Sequence, residues 1–176
     1  MNAVPECTIP RHAATFFRDA GSVSASLAFH AALSAPRQAR AFTREALRRW
    51  GEGEETIDAA VLIVCELATN AIQHGVQLPP DGHGREHAPQ SERPSESVIT
   101  LTLALHPDVL HIEVHDASPV QPVQRAAAGE DIRGRGLVII ATLASWTSGL
   151  KPGGGKWVRA SLPRGTETRT GRPMAA

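Results

Sequence analysis

The amino-acid sequence predicts an α+β domain, in which about three helices cover one face of a mostly antiparallel sheet. Three observations predict it. Segment 57–74 is long enough for a helix and apolar on nearly every side, two alternating runs flank Pro107-Asp108, and two more flank a glycine-rich turn near the end of the chain. A chain of 176 residues, 41% hydrophobic, is long enough to bury the core of one such domain.

The composition excludes several functional classes. Lys+Arg and Asp+Glu are both 18, so the chain lacks the basic excess expected of a nucleic-acid-binding or polybasic membrane surface. Two cysteines, Cys7 and Cys65, form neither a disulfide framework nor a zinc motif. The start of the chain lacks a signal-peptide pattern, and no window approaches about 20 apolar residues. We therefore expect a cytoplasmic protein without a membrane span.

The first third of the chain predicts a strand and a helix behind a loose arm. Residues 1–21 contain two prolines and no sustained period, which predicts a loose N-terminal arm. Residues 22–33 are small and apolar, as in a strand. Ala35-Pro36 then predicts a helix entry, and Gly51 a helix end. Apolar residues recur at helical spacing between them: Ala39, Phe42, Ala46, Leu47 and Trp50.

The second predicted helix occupies the middle of the domain. Thr56 is its candidate N-cap, and Gly75 ends it. Because segment 57–74 is apolar around most of its circumference, we expect other elements to surround it.

The rest of the chain predicts two strand pairs and one short helix. Strands are predicted at 98–106 and 109–115 and at 145–150 and 157–162, with a helix at 136–144 between the pairs. The predicted order is β-α-α-β-β-α-β-β. The domain is expected over 22–163, with a polar insertion at 76–97, an aperiodic segment at 117–133 and a disordered tail at 164–176.

The first candidate motif is a polar stripe on the apolar second helix. Glu66, Asn70 and His74 are four residues apart, so they lie on one helix face with a drift of about 40° per step. An amide oxygen can bind Mg²⁺ and a carboxylate can orient or deprotonate an attacking oxygen. The stripe therefore predicts either a metal-phosphate cleft or a polar seam satisfied by the backbone or by neighbouring arginines.

The second candidate motif is Asp116 at the end of an apolar strand. Small residues and Pro119 follow it. Its carboxylate can accept a hydrogen bond from an exocyclic amine such as that of adenine. It can equally cap its own turn, and both interpretations stay open at this point.

The third candidate motif is a glycine-rich helix entry. Arg133, Gly134, Arg135, Gly136 and Leu137 open the helix predicted at 136–144. Glycine lets backbone N–H groups approach an anion, and arginine adds charged donors, although a simple helix entry fits as well. The run 153–156 lacks P-loop spacing and predicts a hairpin turn.

In this order, the three motifs resemble the nucleotide-binding motifs of the histidine-kinase-like (GHKL) ATPases. The matching segments are ELATNAIQHG at 66–75, VHDASP at 114–119 and GRGLVII at 134–140, followed by a hairpin containing GGGKW. The resemblance covers about 22–163 and implies the Bergerat fold, a two-layer sandwich. The most similar branch is the small bacterial ATP-binding proteins related to anti-sigma-factor serine kinases.

The resemblance implies a role for each matching residue. Asn70 would bind Mg²⁺, Glu66 would be the catalytic general base, and His74 would lie near the nucleotide. Asp116 would bind the adenine amino group, with Ser118 beside the base. The third motif would bind the ATP phosphates through its backbone and arginines: Arg133, Gly134, Arg135, Gly136 and Leu137.

The resemblance also implies a function and partners. The cofactors would be ATP and Mg²⁺, and residues 117–133 would form the lid over ATP. The γ-phosphate would pass to a serine or threonine of an antagonist protein, and the protein could also hold a sigma factor or form a homodimer. The superfamily has DxGxG at the second motif, whereas Ser118 and Val120 stand at the glycine positions here. That departure predicts weak ATP affinity and keeps a second hypothesis open, a non-catalytic switch that binds ATP or only a partner.

Overall fold

The computed structural model describes residues 13–19, 21–32, 34–75, 98–122 and 136–164. In chain order, the elements are β1 (Ala13–Asp19), β2 (Ser22–His30), α1 (Ala35–Trp50), α2 (Glu54–Gly75), β3 (Val98–Leu105), β4 (Val109–Asp116), α3 (Gly136–Leu143), β5 (Ser145–Leu150) and β6 (Lys156–Pro163). Three helices and an antiparallel sheet confirm the predicted α+β class. The predicted insertion, most of the predicted lid and residues 165–176 lie outside the described residues.

The sheet is open and antiparallel throughout. Its strand order is β1-β2-β3-β4-β6-β5, and every neighbouring pair is antiparallel. β4 lies between β3 and β6, and its last residue, Asp116, is directly opposite Lys156, the first residue of β6. This register brings the second predicted motif next to the glycine-rich hairpin.

The hydrophobic core lies between one face of the sheet and the helices. Alternate residues of β3 and β4, such as Leu103 and Ile112, are fully buried, as the period of two requires. Helix α2 packs against α1, α3, β4 and β6. Its central position is confirmed, and it explains why α2 is apolar around most of its circumference. None of the helices in the described ranges is long and apolar enough to cross a membrane.

Strand β1 is an element that the sequence pattern does not predict, since residues 1–21 are expected to form a loose arm. Residues 14–18 are all exposed, so no buried position produces an alternating pattern. Phe16 and Phe17 keep 41% and 62% of their surface exposed. The strand exists because its backbone pairs with β2, with Phe16 opposite Ala25.

Helix ends differ slightly from the prediction. Helix α2 begins at Glu54, which places the candidate cap Thr56 inside the first turn. Glu54 and Glu55 in that turn complement the positive end of the helix dipole. Gly51 ends α1 in the left-handed conformation, with φ 81°, as only glycine does without strain.

Arg164 ties together the end of the sheet that is distant from Asp116. Its guanidinium forms two hydrogen bonds with Glu52, of 2.6 and 3.2 Å, in the loop between α1 and α2. It also donates to the carbonyl oxygens of His106 and Pro107, at 2.8 and 2.6 Å, in the β3–β4 hairpin. The predicted tail therefore begins with a residue whose side chain holds two loops in place.

The other face of the sheet is not covered by the described helices and is polar around β4. Glu113 bonds both His115 and Arg159, and His111 bonds the Ser161 hydroxyl at 3.0 Å. Partial burial lowers the pKa of His111, and neighbouring positive charges lower it further.

Candidate functional site

The polar face of α2 provides the first two groups of the site. Glu66 and Asn70 are one turn apart, and both are half-buried. Within the described part of the chain, no hydrogen bond or ion pair holds either side chain. Both side chains are therefore available to a ligand as far as the described residues go. His74 lies in the last turn of α2, and its side chain is outside the described residues.

Glu66 lies against the first residue of α3. A Cβ built on Gly136 would approach Glu66 Oε2 to 2.5 Å and the Glu66 Cβ and Cδ to 3.5 Å. Only a residue without a side chain leaves the carboxylate in this position. The first and third motifs, 70 residues apart in sequence, therefore meet where α2 packs on α3.

Asp116 is buried at the end of β4, and with the described residues it forms two bonds, both through one oxygen. Its residue surface is 2% exposed. Oδ1 accepts a hydrogen bond of 2.8 Å from the Ser118 N–H and one of 2.9 Å from Lys156 Nζ. Oδ2 takes part in neither bond. The turn-capping interpretation is therefore confirmed for Oδ1, and Oδ2 is the oxygen that an exocyclic amine would use.

Ser118 supports the turn that follows Asp116. It is 2% exposed, and its hydroxyl oxygen accepts a hydrogen bond of 3.2 Å from the Val120 N–H. The two residues that replace the superfamily's glycines therefore bond each other. Their bond closes a turn over residues 118–120, at the start of the predicted lid.

The glycine-rich hairpin reaches the same end of β4. The predicted turn is confirmed, because Gly153, Gly154 and Gly155 all have positive φ and Lys151 N–H donates to the Gly155 carbonyl at 3.0 Å. A Cβ on Gly155 would collide with the backbone carbonyl oxygen of Asp116. Glycine is required here by both its φ of +81° and this close approach.

Lys156 is the functional candidate that sequence reasoning missed. It is 4% exposed, although lysine is almost never buried unless paired. The missed signal is the alternation of β6, in which Lys156 shares the core face with Val158, Ala160 and Leu162. A lysine on the buried face of a strand needs an acidic partner, and the antiparallel register supplies Asp116.

The structure groups some predicted residues and separates others. Glu66 lies against Gly136, and Asp116 is bonded to Ser118. These two groups belong to one region because α2 packs against both β4 and α3. The Leu137 side chain is 6% exposed and belongs to the core, which leaves its backbone for any nucleotide contact. Arg133, Gly134 and Arg135 lie outside the described residues.

The donor set suits a magnesium nucleotide. The described residues contain no group of three or more His, Cys, Asp or Glu that could hold a metal by themselves. Mg²⁺ is commonly held by one or two protein oxygens together with substrate phosphates and waters. Asn70, with its amide free among the described residues and Glu66 one turn away, fits such a site.

Comparison with known proteins identifies the family of the chain. No curated protein matches the chain. A family model described as a histidine kinase-like ATPase domain matches residues 29–162, a range that extends from the end of β2 into β6 and includes every group described above. This match supports ATP binding. The chain belongs to the histidine kinase-like ATPase family.

Proposed function

We propose that this protein is an ATP-dependent serine/threonine protein kinase of the anti-sigma-factor type, which transfers the γ-phosphoryl group of ATP to a small antagonist protein. One observation supports catalysis rather than binding alone. Glu66 is half-buried, has no partner among the described residues and lies against Gly136. ATP binding alone does not require a carboxylate there, whereas a kinase needs a group that accepts the substrate's proton.

The proposed step uses Glu66 as a general base. Its carboxylate accepts the proton of the substrate hydroxyl while that oxygen bonds to the γ-phosphorus, and the bond between the γ-phosphorus and the bridging oxygen breaks to release ADP. Such phosphoryl transfers depend on positioning and charge neutralisation more than on covalent help. The missing side chain of Gly136 leaves room for the carboxylate in this position.

The remaining groups bind ATP. Asn70 would hold Mg²⁺, which neutralises charge on the phosphate oxygens. The N–H groups at the start of α3, together with the residues before Gly136, would bind the phosphates. Asp116 would accept a hydrogen bond from the adenine amino group through Oδ2, since Oδ1 is already bonded.

The partner class rests on the resemblance of the three motifs to the anti-sigma branch. An antagonist protein would supply the phosphorylated serine or threonine. A sigma factor would be held by the same chain, and two copies could form a homodimer. These partners are tested by incubation of the intact chain with each candidate.

The direct test is label transfer from γ-labelled Mg-ATP to purified candidate antagonists. Wild type should label a partner, and Glu66→Gln should bind ATP with similar affinity but transfer about 100-fold more slowly. Glu55→Gln is the matched control, because Glu55 is exposed in the first turn of the same helix. No label on any partner, with ATP bound, would reject the kinase.

A second candidate function is a switch that binds ATP without turnover. The bonded pair Ser118 and Val120, at the superfamily's glycine positions, favours it because it constrains the turn next to the base. The pairing of Asp116 with Lys156 favours it too, since the carboxylate already has a partner. Calorimetry with Mg-ATP that shows saturable heat, with neither hydrolysis nor transfer, would identify this function.

A further inference from the structure

We infer that Lys156 is a base-recognition residue, which donates a hydrogen bond to N1 of adenine while Asp116 accepts one from the 6-amino group. The inference rests on the proposed ATP binding at this site. It begins with the buried pair at the end of the β4–β6 ladder, where Lys156 Nζ lies 2.9 Å from Asp116 Oδ1 and the two side chains are 5% and 3% exposed.

Pairing with Asp116 stabilises a lysine at this position but does not by itself favour it over an apolar pair. Two buried charges lose their hydration, and such a pair is often no more stabilising than an apolar pair of similar volume. The turn after β4 also has its own support, because Ser118 N–H already donates to Asp116 Oδ1 at 2.8 Å. The ammonium compensates the buried charge of Asp116, and it also has donors that its bond to Oδ1 does not use.

Each partner of the pair keeps hydrogen-bonding groups that the pair does not use, and these groups lie next to each other. An ammonium has three donors, and one of them is used on Oδ1. Among the described residues, Oδ2 takes part in neither of the two bonds that Asp116 forms. The site thus presents an acceptor, Oδ2, beside a cationic donor, Nζ.

Adenine matches this arrangement better than guanine does. Its Watson–Crick edge places the 6-amino donor beside the N1 acceptor, so Oδ2 and Nζ can each form one bond. Guanine offers the O6 acceptor and two adjacent donors, N1–H and the 2-amino group. Because Oδ1 is occupied by Ser118 and Lys156, one guanine donor would be left without a partner, which is costly in a buried site.

The inference is tested with an ATP analogue that lacks N1. Intact protein is titrated with Mg-ATP and with Mg-1-deaza-ATP, in which a C–H group replaces N1. Wild type should bind ATP about tenfold to 100-fold more tightly, which is the range for one lost bond to a charged donor. In Lys156→Met the ratio of the two affinities should fall to near one.

A purely structural role for Lys156 gives a different result. In that case Lys156→Met would bind both nucleotides more weakly by the same factor. The ratio of the two affinities would stay unchanged, which would overturn the inference. The matched control is Lys151→Met, since Lys151 is the other lysine of the chain and lies in the same hairpin outside the pair. It should keep the wild-type ratio.

The wild-type measurement can still overturn the inference if Lys156→Met fails to fold. Equal affinity of wild type for ATP and 1-deaza-ATP would overturn the role of Lys156 and leave the proposed ATP binding intact. If neither nucleotide binds, both the role of Lys156 and the proposed ATP binding are overturned. GTP provides a second readout, and wild type should bind it at least about tenfold more weakly than ATP.

Discussion

Gly136→Ala should separate catalysis from stability in this protein. The backbone at Gly136 has no positive φ, so alanine fits it without strain. Its new Cβ, however, would lie 2.5 Å from Glu66 Oε2, whereas ordinary contact begins at 3.4 Å. The carboxylate must therefore move away by about 1 Å, which is feasible because it is the end of a flexible side chain.

The substitution should change the stability little and slow turnover strongly. Alanine gains up to about 1 kcal/mol over glycine in a helix interior and less at a first residue such as Gly136, and a displaced rotamer of Glu66 costs about 0.5–1.5 kcal/mol. The free energy of unfolding should therefore fall by no more than about 1.5 kcal/mol. A displacement of about 1 Å of a catalytic group can slow a reaction by about 100-fold, so phosphoryl transfer should fall by that order.

The assay combines urea unfolding, Mg-ATP titration and single-turnover transfer of labelled phosphate. Gly53→Ala is the matched control, because a Cβ at Gly53 meets nothing within 4 Å and its φ is also ordinary. That variant should keep the wild-type rate. A Gly136→Ala protein that transfers phosphate at the wild-type rate would refute the assigned position of the Glu66 carboxylate.

Three further predictions concern stability. Arg164→Met should lower the free energy of unfolding by about 2–4 kcal/mol in urea titrations, because it leaves the Glu52 carboxylate, 6% exposed, without its cationic partner. Since burial lowers the pKa of His111 in the folded chain, this imidazole binds a proton more tightly in the unfolded chain than in the folded one. Stability should therefore fall as the pH drops from about 7 towards 5, and His111→Gln should reduce that decline. Gly155→Ala should cost at least about 1–2 kcal/mol more than Gly153→Ala, because both have positive φ but only the first Cβ meets the backbone of β4; equal thermal shifts would contradict this.

Local sequence patterns predict most of the fold. Helices α1 and α2 and the β3–β4 hairpin have strong periods of 3.6 or two residues, and the structure places them within a few residues of the prediction. β1 has no such pattern, since residues 14–18 are exposed on both faces. Its strand conformation depends on pairing with β2, which a local pattern does not reveal.

The candidate site depends more on contacts between distant parts of the chain. The spacing of Glu66 and Asn70 predicts a shared helix face, but their position against Gly136 depends on how α2 and α3 pack. The pairing of Asp116 with Lys156 depends on β6, rather than β5, lying next to β4. That strand order includes a crossover, so sequence adjacency does not predict it.

The central claim is that Asn70 and its neighbours bind Mg-ATP. The most direct measurement is a calorimetric titration of wild type, Asn70→Ala and Gln73→Ala with Mg-ATP, repeated with EDTA in place of Mg²⁺. Gln73 is exposed on the same helix and serves as the control. We predict saturable one-to-one binding that Asn70→Ala weakens at least about tenfold with Mg²⁺ but hardly at all without it. Absence of binding by wild type, or equal affinity of wild type and Asn70→Ala with Mg²⁺, would contradict the claim.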